Sequence, residues 1–195
     1  NVYMTMCTLI IDNYDSFTYN LFHLLRAAAP ENERFEVRKN DAISLSSLLR
    51  YRHIVASPGP GLPSEAGFLP KIFPVIEGKV PYLGVCLGHQ ALAEAYGAKL
   101  YQLPHPVHGG TSQVRVNDTS PLFKHLGQKT TVARYHSWAV EKESLPRCLE
   151  VVSETSDGMV MALQHWNAPL FGVQFHPESF MTPCGLQMLQ NFYNV

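Results

Sequence analysis

Short apolar runs rich in strand-forming residues alternate with segments of helical period through the first half of this chain, and that alternation restricts the fold more than any other feature. It is the pattern of βαβ units around a largely parallel sheet. CTLIID, residues 7–12, reads as a buried strand ending in a polar loop. Phe17, Leu21, Leu24, Leu25 and Ala28 then fall on one helical face, with Asp15 or Ser16 placed to cap its start. Further strands are expected at residues 35–39, 53–57 and 81–85, each followed by a loop and then a helix. The second half differs. Strand-like segments at 112–116, 130–134, 149–153, 159–164 and 170–175 are separated by turn signals such as SDG and WNAP, which points to mixed or antiparallel additions closed by a helix over 184–192. The charged run 31–39 reads as a solvated loop entering an edge strand.

At 195 residues the chain suits a single domain, residues 1–195, at ~100–200 residues per domain. Charged residues make up 16%, well under the ~25% of an average soluble domain, which is compatible with a covered face. With 15 Lys+Arg against 16 Asp+Glu the chain lacks the basic excess that nucleic-acid binding demands. The N-terminal NVYMTMCTLII has no basic leader region, and no apolar run approaches the ~20 residues of a membrane span, so a cytoplasmic protein is expected. Four widely spaced cysteines, with no CxxC pair, indicate neither a zinc ribbon nor a disulfide framework, and a reducing compartment is the simplest setting.

In open α/β sheets ligands sit beyond the carboxyl ends of the strands, and three loops there are rich in reactive or ligand-facing groups. PYLGVCLGHQALAEAYG places Cys86 between Gly84 and Gly88, after a strand and ahead of a helix beginning near His89. This has the form of a nucleophile elbow, with cysteine where many hydrolases carry serine. A thiol at a helix N-terminus is biased toward the reactive thiolate. Taken alone, GxCxG could equally be a buried cysteine beside packing glycines. FGVQFHPES adds His176, Pro177 and Glu178 just beyond a strand. A cysteine nucleophile needs a base to take and return a proton, and a carboxylate to orient that base, so the two motifs together outweigh either bland reading. In the third loop, Ser57-Pro58-Gly59-Pro60-Gly61, glycines let backbone N–H groups approach a ligand, as an oxyanion hole requires. No GK[ST] follows, so it is not a phosphate loop. His105 and His108 lack a nearby acid and lie among prolines, which favours an ordinary loop over a metal site. Cys7, Cys148 and Cys184 read as ordinary core or surface thiols, and His89 as a packing residue.

With these motifs in order, the whole chain resembles the class I glutamine amidotransferases. LIIDNYDSFTYNL, SPGPGLPSEAG, GVCLGHQALAEAYGAKL, RYHSW and GVQFHPES are similar in particular to the glutaminase components of anthranilate synthase and aminodeoxychorismate synthase. The resemblance implies a flavodoxin-like three-layer sandwich, with a mainly parallel sheet and added antiparallel strands. It implies Cys86 as nucleophile, His176 as general base and acid, Glu178 as its orienting partner, and the N–H groups of Gly59 and Leu87 as oxyanion hole. Gly61, Gln90 and the backbone of Ser137 and Trp138 would hold L-glutamine. It implies no metal or cofactor in this chain, Mg²⁺ belonging to the chorismate site of a synthase subunit that docks over the strand ends and receives ammonia. The family usually reads HGK and HSL in two loops where this chain has His108-Gly109-Gly110 and His136-Ser137-Trp138. Two other classes compete: a stand-alone cysteine hydrolase of γ-glutamyl or peptide bonds, against which the DNYDSFTYN opening argues, and a silent binding module, which an intact triad disfavours.

Overall fold

The computed structural model describes residues 6–195; residues 1–5, part of the opening read above for a leader, lie outside the described residues. Nine strands form one sheet: β1 Cys7–Asp12, β2 Arg34–Lys39, β3 His53–Ala56, β4 Tyr82–Val85, β5 Leu100–Val116, β6 Lys129–Val140, β7 Leu149–Thr155, β8 Val160–His165 and β9 Leu170–Val173. The helices are α1 Thr18–Ala28, the single turn α2 Phe73–Ile76, α3 Leu87–Ala95 and α4 Gly185–Tyr193. The strand order is β2-β1-β3-β4-β9-β8-β7-β5-β6. The first five are mutually parallel and the remainder antiparallel. The parallel part follows the flavodoxin-like order, with β9, drawn from the end of the chain, in the fifth place.

The central strands are buried on both faces, which is why they read as unbroken apolar runs. Side-chain alternation divides them. Ile10, Val55, Leu83 and Val85 face Leu21 and Leu25 of α1 and Met188, Leu189 and Phe192 of α4. Leu9, Ile11, Ile54, Ala56 and Tyr82 face Phe73, Leu87, Ala91 and Leu92 on the other side. Each such aliphatic side chain contributes about 1.5–3 kcal/mol by leaving water. The two layers hold the sheet rigidly, and the strand ends carry the loops of interest.

Several local expectations change. Neither Asp15 nor Ser16 caps α1: Phe17 occupies that position without a side-chain hydrogen bond. The helix starts where Asp12, buried at the end of β1, can accept the Thr18 hydroxyl at 2.9 Å, while Asp15 accepts the Phe17 N–H at 3.1 Å. The helix after Cys86 begins at Leu87 rather than near His89. The strands expected at 112–116 and 130–134 are the ends of a much longer ribbon, β5 with β6. His105, His108 and the His136-Ser137-Trp138 segment therefore lie in strands, not loops. Pro104 and Pro106 are accommodated because the pairing shifts register between Gln102 and Val107, and because β7 pairs with β5 only over Val114 to Val116, leaving the rest of that edge open. The strand at 34–39 is the edge strand β2, as its charges indicate.

Candidate active site

Cys86 has φ 52° and ψ −98°, a backbone conformation that costs a non-glycine residue about 1–3 kcal/mol. The surroundings impose it. The Cys86 N–H is tied to the Val173 carbonyl of β9 at 2.8 Å, and its carbonyl accepts the Gln90 N–H at 3.0 Å. The chain reverses so tightly that a Cβ on Gly84 would lie 2.2 Å from the Gly88 backbone. The elbow is therefore a built feature that lifts the sulfur off the end of β4 and sets it at the N-terminus of α3.

His176 and Glu178 follow β9, the strand next to β4. His176 Nδ1–H donates to Glu178 Oε1 at 2.5 Å, and both side chains are buried. The loop is pinned from two sides. The His176 N–H donates to the Ala133 carbonyl of β6 at 3.0 Å, and the Thr182 hydroxyl donates to the His176 carbonyl at 2.7 Å. Gly185 opens α4 against the same loop; a Cβ there would sit 2.1 Å from the Pro177 oxygen. Burial alone would depress the His176 pKa, but its side-chain interactions with Cys86 and Glu178 outweigh it and push the value up to about 10. Nε2 makes no regular hydrogen bond, and Cys86 joins Glu178 among the side chains that interact with the ring. The arrangement stores a positive charge beside the sulfur at neutral pH.

The sulfur opens on a cleft of about 270 Å³ lined by Gly59, Pro60, Gly61, Cys86, Gln90, His108, Tyr135, His136, Ser137 and Trp138. Six of the nine site residues singled out from sequence thus share one wall. Leu87 heads α3 and packs beside Gly59, its N–H among the first-turn donors that a helix leaves unsatisfied. His176 and Glu178 are not among the residues lining the cleft; they lie behind Cys86. The Trp138 carbonyl is already occupied: it accepts from Gln90 Nε2 and from His136 Nδ1, both at 2.9 Å. Both lone pairs are used, so this oxygen cannot serve a ligand.

Sequence reasoning missed four contributors. Asn13 anchors the glycine loop, donating through Nδ2 to the Ser57 carbonyl at 2.7 Å. The Tyr135 ring stands edge-on to the His176 ring, with centroids 5.2 Å apart. Gln174, fully buried, donates to Cys86 Sγ at 3.5 Å. His136 is held neutral, its pKa pushed down to about 4 by burial and by Arg134, whose Nε–H donates to His136 Nε2 at 3.2 Å. Gln174 sits two residues before His176, on the same strand end, and that spacing was the one signal the chain offered. The described residues contain no cluster of His, Cys, Asp or Glu able to hold a metal ion, and no helix long and apolar enough to cross a membrane.

The family model of class I glutamine amidotransferases matches residues 9–195. The anthranilate synthase component 2 of Azospirillum brasilense is 44% identical over 189 residues, 95% of this chain and 94% of that one. The aminodeoxychorismate/anthranilate synthase component 2 of Bacillus subtilis is 41% identical, covering 94% of both. The bifunctional protein TrpGD of Thermotoga maritima is 43% identical over 96% of this chain, which spans only 32% of its length. Among solved structures, a GMP synthase subunit of Thermoplasma acidophilum superposes with a TM-score of 0.85 at 26% identity, covering 96% of this chain and 92% of that one. Matched along nearly its whole length, with the elbow cysteine and the histidine–glutamate pair brought together by the fold, the chain belongs to the class I glutamine amidotransferases.

Proposed function

We propose that this chain hydrolyses L-glutamine through Cys86, His176 and Glu178 and passes the ammonia to a synthase that aminates chorismate. The observation that carries the reading is the strained elbow cysteine, which faces a buried histidine–glutamate pair on one side and an open cleft on the other. The names of the component 2 relatives support the chorismate step and the existence of a synthase partner.

In the mechanism, the Cys86 thiolate attacks the side-chain amide carbon of glutamine, and the C=O electrons move to oxygen. The N–H groups of Gly59 and Leu87 stabilise that oxyanion, at about 3 kcal/mol per donor in comparable sites. Imidazolium His176, held charged by Glu178, gives a proton to the leaving nitrogen, and the C–N bond breaks to release ammonia. His176 then takes a proton from water, which attacks the γ-glutamyl thioester; glutamate leaves and the thiol is restored. Gln90 has committed both N–H bonds to Trp138 and Gln174, so toward glutamine it can only accept through Oε1, for instance from the α-ammonium. Gly61 and the Ser137 main chain complete the binding wall. This chemistry asks for no metal; any Mg²⁺ belongs to the chorismate site of the synthase. A free catalytic thiol suits the reducing cytoplasm.

Replacing Cys86 with Ser in the complex with a chorismate-using synthase tests the reading. Glutamine-dependent amination is expected to vanish while amination from added ammonium salt persists. Loss of both would mean that Cys86 serves folding or docking instead.

A further inference from the structure

We infer that Gln174 is a dedicated hydrogen-bond donor to the Cys86 sulfur, its direction dictated by a one-way chain of buried amides that begins at the Trp138 carbonyl. This rests on the proposed role of Cys86 as nucleophile and deepens it. A main-chain carbonyl can only accept, so the Gln90 side chain must present its NH₂ to the Trp138 oxygen, 2.9 Å away. The same Gln90 nitrogen sends its other hydrogen to Gln174 Oε1 at 3.1 Å. Gln174 is thereby prevented from flipping, and its own NH₂ must point at Cys86 Sγ, 3.5 Å away. The Trp138 end is fixed in turn. Arg134 donates to His136 Nε2, which places the His136 proton on Nδ1 and aims it at the same carbonyl.

The consequence is chemical. A sulfur that receives an N–H bond is stabilised as thiolate, and Gln174 offers it no acceptor for a thiol proton. The acceptors left for that proton are the Tyr135 carbonyl, 3.8 Å from Sγ, and His176. Gln174 touches the reacting atom without lying in the cleft, and its full burial excludes water from competing for that bond. A hydrogen bond to a charged group in a dry site is stronger than a neutral one, so its loss shifts the thiol–thiolate balance measurably.

The test is the pH dependence of Cys86 alkylation by iodoacetamide, in which the thiolate displaces iodide, followed by peptide mass mapping to separate Cys86 from Cys7, Cys148 and Cys184. The other titratable and charged groups around the sulfur remain in every variant: His176 and Glu178 after β9, Asp15 after β1, His108 on β5, and Arg134, Tyr135 and His136 on β6. In Gln174→Met, which keeps length and loses the donor, the midpoint of the rate profile is expected to move up by about one pH unit, with an equal loss of rate below the midpoint. Gln174→Glu, which swaps the donor for an acceptor, is expected to move it further in the same direction. An unchanged midpoint in a folded Gln174→Met or Gln174→Glu protein overturns the inference, even if turnover falls. Should one variant not fold, as judged by circular dichroism, the other decides. If Cys86 of the parent protein is not alkylated in a pH-dependent way, the nucleophile assignment itself fails, which is a distinct result.

Discussion

The two halves of the sheet divide the work unequally. The parallel half, β1 to β4 with β9, presents Cys86 at the end of β4, His176 and Glu178 after β9, and the Gly59 loop after β3. The antiparallel half supplies a wall, the β6 stretch from Tyr135 to Trp138. One half holds its groups between two buried helical layers; in the other, β8 is buried while β5, paired with β6, is largely exposed and shifts register twice. The proposed triad sits on the half packed between helices, while the ribbon closes the pocket and carries the carbonyl that orders the amide chain.

Substitutions of the groups that the parallel half presents should therefore be costly, and changes to ribbon side chains other than Arg134 and His136 mild. The largest effect is expected from Cys86→Ser, which should lower glutamine hydrolysis at least about a thousandfold with the fold intact. Next comes Glu178→Gln, expected to cost about a hundredfold or more in kcat because Nδ1 loses its charged partner. Gly185→Ala presses a methyl group on the Pro177 oxygen; displacement of the His176 loop should lower kcat by about tenfold and stability by about 1–3 kcal/mol, read by turnover and urea unfolding.

A smaller effect tests the parallel half away from the cleft. His53, at the start of β3, is packed against the rings of Phe192 and Tyr193, and both ring nitrogens lack partners. Burial, with the Arg52 charge, pushes its pKa down to about 4 from an ordinary 6.5. The unfolded chain binds this proton first, so the stability it contributes is complete above pH 6.5 and is lost as pH falls through 4. His53→Phe should remove about 2 kcal/mol of the stability loss between pH 7 and 4.5, measured by urea titration at both values. The smallest effect is expected on the ribbon: Trp138→Leu should change KM for glutamine by less than about threefold, because the hydrogen bonds that Gln90 and His136 make to the Trp138 carbonyl hold the main chain in place with either side chain. A large change would show that the wall works through side chains, and the contrast between the halves would not hold.

The same contrast explains what the sequence revealed. Central strands buried on both faces announce themselves as apolar runs, and the elbow and His-Pro-Glu motifs are local, so the parallel half and the residues it presents at its strand ends were legible. The ribbon was not, because Pro104, Pro106, Gly109 and Gly110 signal a loop, and only pairing with β6 and an open edge make them compatible with a strand. Gln174 and Asn13 lie inside the quoted motifs, yet their roles were hidden for another reason. Their partners lie far along the chain, Gln174 being 88 residues from Cys86, and no periodicity records a hydrogen bond across such a span.

The most direct measurement is an acid quench of the protein, with its synthase, during glutamine turnover, followed by mapping of the glutamyl adduct by peptide mass spectrometry. The account predicts a γ-glutamyl thioester on the peptide containing Cys86. An adduct on any other residue would contradict it.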